Sequence, residues 1–326
     1  MTETTTKNTI PGVKLTNGVS LPQLGYGCAF GDWLGRTDFQ GFLPEQSWHA
    51  IELALKAGFR HFDTAYCYGT ERHLGDTLGR WFADGTLTRD QVFLTTKLLH
   101  PAAPPHIAIS HRLTCDWYTE PDLKQRILDD FDRSKEKAGI GYYDLLLMHW
   151  PAPFDNTDAE FGRRTRADIW SAFEEIHQRG EARAIGVSNF ARHHLEPLLE
   201  TATIQPMVNQ LEVHPYCHDA ELIDYCKAAG MVIEAYAPFA SGGLGLLDDP
   251  AVMEIAKQVG YSTGQVILRW HIQHGHVVLP KSSSPRRLSE NLAIFEFELD
   301  DDSMARLDAL GGGEARRTCP DPSGIQ

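Results

Sequence analysis

Six cysteines in 326 residues, none in a C-x-x-C pair, leave this chain without the spacing of a structural zinc site or a disulfide framework. Cys28, Cys67, Cys115, Cys217, Cys226 and Cys319 are scattered, which suits reduced thiols, and Cys67 reads as a packed thiol beside Tyr68. Cations are also few. Thirty Lys and Arg against 44 Asp and Glu give a formal net charge of −14, which argues against general binding to nucleic acid or to an anionic membrane surface. No apolar run approaches the ~20 residues of a membrane span, and the N-terminus MTETTTKNTI lacks the apolar core of a secretory signal. A cytoplasmic protein is expected. The composition, 42% hydrophobic and 23% charged, is that of a soluble enzyme, long enough for one large α/β domain or two ordinary ones.

Residues 1–10 read as disordered and 11–326 as one domain. Asn17-Gly18, between two alternating runs in VKLTNGVSLPQLGYG, predicts a hairpin with a type I′ turn, a small lid or plug ahead of the main fold. Eight apolar, β-branched-rich runs follow, at 24–29, 61–65, 92–97, 143–149, 182–188, 207–213, 231–237 and 277–282. Helical patterns separate them, at 44–56, 70–82, 121–138, 167–178, 191–200, 219–229, 250–274 (broken at Gly260) and 285–294, with an extra C-terminal helix at 301–310. Strands that are apolar almost throughout belong to a parallel sheet covered on both faces. The count and length predict an α/β fold, a (β/α)8 barrel, with its site at the C-terminal ends of the strands. Two connectors are long, 30–43 and the insertion at 98–120, and both follow strands. Phe30, Trp33, Trp117 and Tyr118 in them are candidates to face a substrate.

Polar residues cluster at the predicted strand ends: Asp63, Lys97, His149, Ser188, Asn189, Asn209, Gln210, Tyr236 and Lys281. The stretch from Gly58 to Leu98 places an aspartate, a tyrosine and a lysine together. A free phenol has a pKa of about 10 and is a sluggish acid at neutral pH. Lys97 and Asp63 end neighbouring strands, so the carboxylate holds the lysine charged and the ammonium is expected to lower the pKa of Tyr68. In a chain so acidic, residues 281–287 carry Lys281, Arg286 and Arg287 with no acid before Glu290, a pattern suited to a phosphate.

GFRHFDTAYCYGTE, FLTTK, DLLLMHWP, IGVSNF, NQLEVHP and LPKSSSPRRLSEN, in this order, resemble the aldo-keto reductase superfamily over roughly residues 11–310, and the short ending RRTCPDPSGIQ is similar to its microbial members. The resemblance implies a tetrad of Asp63, Tyr68, Lys97 and His149, with Tyr68 the general acid and His149 polarising a carbonyl. It implies NADPH as cofactor. Ser188, Asn189 and Gln210 would bond the carboxamide and Tyr236 would stack on the nicotinamide. The glycine-rich 240–245 segment, with Gly243, would meet the pyrophosphate. Lys281, Ser282, Ser283 and Arg287 would take the 2′-phosphate, and Glu290 and Asn291 the adenine. The partner implied is a small carbonyl compound, reduced without metal by a monomer or weak homodimer.

The chain departs from the family pattern at Ala29-Phe30, where many relatives carry a Trp, and Trp150 is the aromatic expected at the pocket wall. A regulatory or structural barrel that only binds the cofactor, and alcohol oxidation as the working direction, are the alternatives. Gly25-x-Gly27-x-x-x-Gly31 is not followed by a helix and is no dinucleotide loop. His271-x-x-His274-x-His276 precedes the last strand and is expected to be a surface cluster.

Overall fold

The structure, a computed structural model, describes residues 10–31, 44–99, 121–313 and 315–326. An antiparallel hairpin, β1 (Gly12–Lys14) and β2 (Ser20–Pro22), precedes eight parallel strands. These are β3 (Tyr26–Gly27), β4 (His61–Asp63), β5 (Phe93–Leu98), β6 (Tyr143–Met148), β7 (Ala182–Ser188), β8 (Val208–Glu212), β9 (Val232–Tyr236) and β10 (Val277–Val278). Each pairs with the next in chain order. The sheet then closes on itself: Gly25 N donates to Val278 O and Val278 N to Gln23 O, both at 2.9 Å. All eight predicted runs supply barrel strands.

The helices are α1 (Ser47–Ala57), α2 (Glu71–Ala83), α3 (Leu123–Ala138), α4 (Ala159–Gln178), α5 (Arg192–Thr201), α6 (Ala220–Ala228), α7 (Pro250–Val259), α8 (Thr263–Gln273), α9 (Pro285–Leu292) and α10 (Asp301–Asp308). Gly260, at φ 76°, ends α7 as expected, and the Ser262–Gln265 capping box starts α8. The apolar periodicity places the start of α4 near 167, whereas the helix begins at Ala159. Asp158 accepts from Glu160 N and Phe161 N at 3.0 Å each, and this cap carries the helix through the charged, glycine-containing turn that hides it.

The hairpin is present, but its turn is not type I′. That type needs positive φ at both central residues; here Gly18 has φ 84° and Asn17 does not join it. Gly18 N bonds Leu15 O and Leu15 N bonds Val19 O, each at 2.9 Å, which makes a three-residue loop with the glycine left-handed. Leu15 and Leu21 pack on Phe93, Leu145, Val208 and Val277, so the hairpin plugs the end of the barrel where the strands begin.

Gly75 of α2 lets α3 approach so closely that a Cβ there would meet Ala138 O at 1.7 Å. Gly75→Ala is expected to destabilise the protein by about 1–3 kcal/mol, the range for overpacking, despite alanine's better helix propensity. Urea unfolding measures this, and an unchanged midpoint would refute the close approach.

Candidate active site

Side chains that point into the barrel alternate along each strand, so a site residue shares its face with the residue two before it. β4 turns His61 and Asp63 inward, β5 Thr95 and Lys97, and β9 Glu234 and Tyr236. Gly25 makes room for the first of these, since a Cβ there would lie 2.6 Å from His61 Nδ1.

Lys97 and Asp63 meet as expected. Lys97 Nζ donates to Asp63 Oδ1 at 2.6 Å and to Thr64 O at 3.0 Å, with both side chains buried. The ammonium lies 4.9 Å from the centre of the Tyr68 ring. On the other side, His149 Nε2 is 3.5 Å from Tyr68 OH, and the Cys67 thiol is 3.8 Å from His149 Nδ1. The four expected residues therefore share one site at the C-terminal ends of β4, β5 and β6.

One expectation is overturned. Burial, and after it the negative charge of Asp63, push the Tyr68 phenol well above its ordinary pKa. The Lys97 ammonium, 4.9 Å from the ring centre and itself paired with Asp63, does not outweigh these two effects. Tyr68 rests as a protonated hydroxyl, the state a proton donor needs.

The ends of β7, β8 and β9 form the other wall. Asn189, held at φ 62°, donates to His149 O at 3.0 Å and to Ser188 Oγ at 3.1 Å, and its Oδ1 accepts from Tyr236 OH at 2.8 Å. Ser188 Oγ donates to Gln210 O at 2.9 Å. Gln210 Nε2 donates to Asp63 Oδ2 at 2.9 Å and to Glu234 Oε2 at 2.5 Å, and Glu234 Oε1 lies 3.5 Å from His61 Nε2. The segment after β9 is contorted: Ala237, Ala240, Ser241 and Leu244 all have positive φ, as do Gly242 and Gly245. Non-glycine residues in this region cost about 1–3 kcal/mol each, a strain found at ligand clamps. Gly243 lies in this segment, its N–H donating to Ala240 O at 2.8 Å.

Lys281 Nζ donates to Ala29 O at 2.8 Å and sits 5.3 Å from the centre of the Phe30 ring, so Phe30 is a buried support for the basic segment. Ser282 Oγ accepts from Ser284 N at the head of α9. Ser283 and Arg287 are exposed there, Glu290 binds Arg286 at 3.0 Å, and Asn291 is buried. Trp150 is buried against Phe154, Ala152 and Ile325, under the C-terminal segment. Trp33, Trp117 and Tyr118, with the stretch 1–9 and most of both long connectors, lie outside the described residues.

Sequence reasoning missed several residues. Glu234 and His61 underlie the site, and the signal for each was a polar residue two places before a site residue in an apolar strand. Glu212 is buried and accepts from Thr318 N and Oγ1, both at 2.7 Å, and from Cys319 N at 3.1 Å. It ties the C-terminal segment to the barrel mouth, and its hydrogen bonds with His214 and then Thr318 hold its carboxyl below the usual range despite burial. Cys319 thereby comes into electrostatic reach of Tyr68 and Tyr236, and burial pushes its thiol up to about 12. Nothing in local spacing announces contacts a hundred residues apart. The histidine cluster is a correction: His271 and His276 are buried, with their Nδ1 atoms 3.4 Å apart, and are not on the surface. Among the described residues no group of three or more His, Cys, Asp or Glu is placed to hold a metal ion, and no helix is long and apolar enough to cross a membrane.

A closed parallel barrel with a buried lysine–aspartate pair beneath a tyrosine and a histidine at the C-terminal mouth is the architecture of an oxidoreductase class. The Aldo/keto reductase family model matches residues 24–311, and the chain belongs to that family. A glyoxal reductase of Bacillus subtilis is 36% identical over 310 residues, covering 95% of each chain. The crystal structure of an aldo/keto reductase from Brucella melitensis superposes with a TM-score of 0.74 at 33% identity, over 93% of this chain and 100% of that one. A Bombyx mori aldo-keto reductase in complex with NADP superposes at 0.79 and 26% identity, over 96% of this chain and 99% of that one.

Proposed function

We propose that the protein reduces aldehydes or ketones to alcohols with NADPH, using Tyr68 as the general acid. The observation that carries this reading is the buried Lys97–Asp63 pair set beneath Tyr68, with His149 3.5 Å from the phenol oxygen. A carbonyl oxygen placed between Tyr68 OH and His149 Nε2 meets two hydrogen-bonding groups where its negative charge develops. The phenol gives its proton to that oxygen, and the phenolate left behind lies next to the Lys97 ammonium.

The residues present fit the cofactor. The positive-φ, glycine-rich segment at 237–245 suits a pyrophosphate, and Lys281 and Arg287 suit a 2′-phosphate. Ser188, Asn189 and Gln210 hold the carboxamide and Tyr236 supports the ring; for Asn189 this exchanges one of its present bonds for one to the ligand. When bound, the nicotinamide supplies hydride. Everything named comes from one chain, so a monomer or weak homodimer suffices, with residues 11–326 acting as one domain.

The test is NADPH consumption against a panel of aldehydes and ketones, with NADH in parallel. Turnover of some members with NADPH is expected. Tight NADPH binding with no turnover across the panel would instead make the chain a cofactor-binding module. Arg287→Ala is expected to raise KM for NADPH by about ten- to a hundredfold and that for NADH by less than about twofold, since only the former carries the 2′-phosphate. Equal losses for both cofactors would place that phosphate elsewhere.

A further inference from the structure

We propose that Glu234 is a positioning residue of the active site: a neutral carboxylic acid inside the barrel that locks the Gln210 amide with its carbonyl oxygen turned toward the cofactor. The inference rests on the cofactor cradle proposed above and adds to it a residue that touches neither cofactor nor substrate.

The argument follows hydrogens. Asp63 is paired with Lys97 at 2.6 Å, so its other oxygen can only accept, and the Gln210 atom 2.9 Å away must be the nitrogen. The same nitrogen faces Glu234 Oε2 at 2.5 Å. Both amide hydrogens are thus spent, and Oε1 is the atom Gln210 has left for a ligand. Because Glu234 Oε2 accepts, any proton on this carboxyl sits on Oε1, which faces His61 Nε2 at 3.5 Å. His61 Nδ1 lies 3.3 Å from Pro22 O, a carbonyl that can only accept, so Nδ1 carries the imidazole hydrogen and Nε2 is a lone pair. Thr95 Oγ1 is the nearer neighbour of that lone pair, at 3.3 Å, and its hydroxyl can donate to it. Glu234 Oε1 is buried with no hydrogen-bond partner, so a proton held there leaves no bare carboxylate oxygen facing that lone pair. An ionised Glu234 would set its negative charge against the His61 lone pair.

The electrostatics agree. The ionisable groups around Glu234 are His61 and Asp63 from β4 and Lys97 from β5, with Gln210 of β8 the polar neighbour. Burial first, and then the charge of Asp63, raise the Glu234 carboxyl to about 8. Burial also lowers His61 to about 3, which keeps it neutral. With a single cation in the cluster, and that cation on Asp63, the remaining carboxyl keeps its proton. A neutral acid gives Gln210 a fixed acceptor without adding a second negative charge beside Asp63.

Two measurements test this. The first needs no cofactor. An ordinary glutamate loses its proton in the unfolded chain at a pKa of about 4.3, while buried Glu234 keeps it to about 8, so the wild type should lose stability as pH rises through this window. Glu234→Gln keeps an oxygen acceptor for Gln210 and a donor at the other position, with no proton to lose. The stability of the wild type relative to E234Q, from urea unfolding of the cofactor-free proteins, should therefore fall between about pH 5 and pH 8. A constant difference would overturn the neutral acid.

The second measurement is NADPH affinity by fluorescence quenching. Glu234→Leu and Gln210→Leu should each weaken binding by about tenfold, while E234Q should stay within about threefold of wild type. If E234L binds as wild type does and Q210L does not, Glu234 does not position Gln210, and the cradle stands without it. If Q210L also binds as wild type does, the cradle itself is misplaced and this inference falls with it. Should E234L fail to fold, the pH dependence of E234Q decides.

Discussion

Tyr68→Phe is expected to lower turnover by about a hundred- to ten-thousandfold, the usual worth of a positioned general acid, with NADPH affinity unchanged within about twofold. The two effects separate because the hydroxyl is the group the chemistry needs, whereas the ring supplies packing. Phenylalanine keeps the ring against Lys97 and His149, so the Lys97–Asp63 pair is undisturbed. Single-turnover kinetics with prebound cofactor is the cleanest measurement. Loss of cofactor binding together with turnover would mean that Tyr68 supports the cradle; retained turnover would move the proton source elsewhere.

Lys97→Met is the second large effect, and it strikes stability as well as rate. It leaves the buried Asp63 carboxyl without its cation, with only the Gln210 bond remaining on its second oxygen. Breaking one side of a buried ion pair typically costs about 3–5 kcal/mol, mostly through the partner left uncompensated. Urea unfolding should therefore show Lys97→Met strongly destabilised, and the double variant Lys97→Met with Asp63→Asn restored over much of that loss. Turnover should recover in neither, because the phenolate formed at Tyr68 then has no ammonium beside it. A double variant that regains activity would show that the pair serves only the fold.

The barrel was legible because its strands carry near-continuous apolar sequence and its helices carry periodicity, both local properties. Asp63, Lys97 and His149 could be placed because each ends a strand, and a parallel barrel gathers strand ends at one rim. What could not be read is what depends on distance. The acidity of Tyr68 turned on burial and on the charge of Asp63, and the depth of burial is not written in the spacing of Asp63, Tyr68 and Lys97. Glu212 was hidden because its partners, Thr318 and Cys319, lie at the other end of the chain. Asp158 gave a cap signal for α4, but the charged, glycine-containing first turn interrupted the apolar pattern used to place the helix.

The seam that closes the barrel bears on how the protein is made. Gln23 and Gly25 meet Val278 there, and Lys281 reaches across to Ala29, so the first and last strands are joined by only a few bonds. Closing a loop that spans most of the chain costs entropy that grows only slowly with length, but the contacts that repay it form late. The barrel therefore cannot close until its last strand has been made. Asp63 and Lys97 can pair before then, whereas the basic segment that follows β10 is synthesised only at the end. A nascent chain thus contains both partners of its ion pair long before Lys281, Arg286 and Arg287.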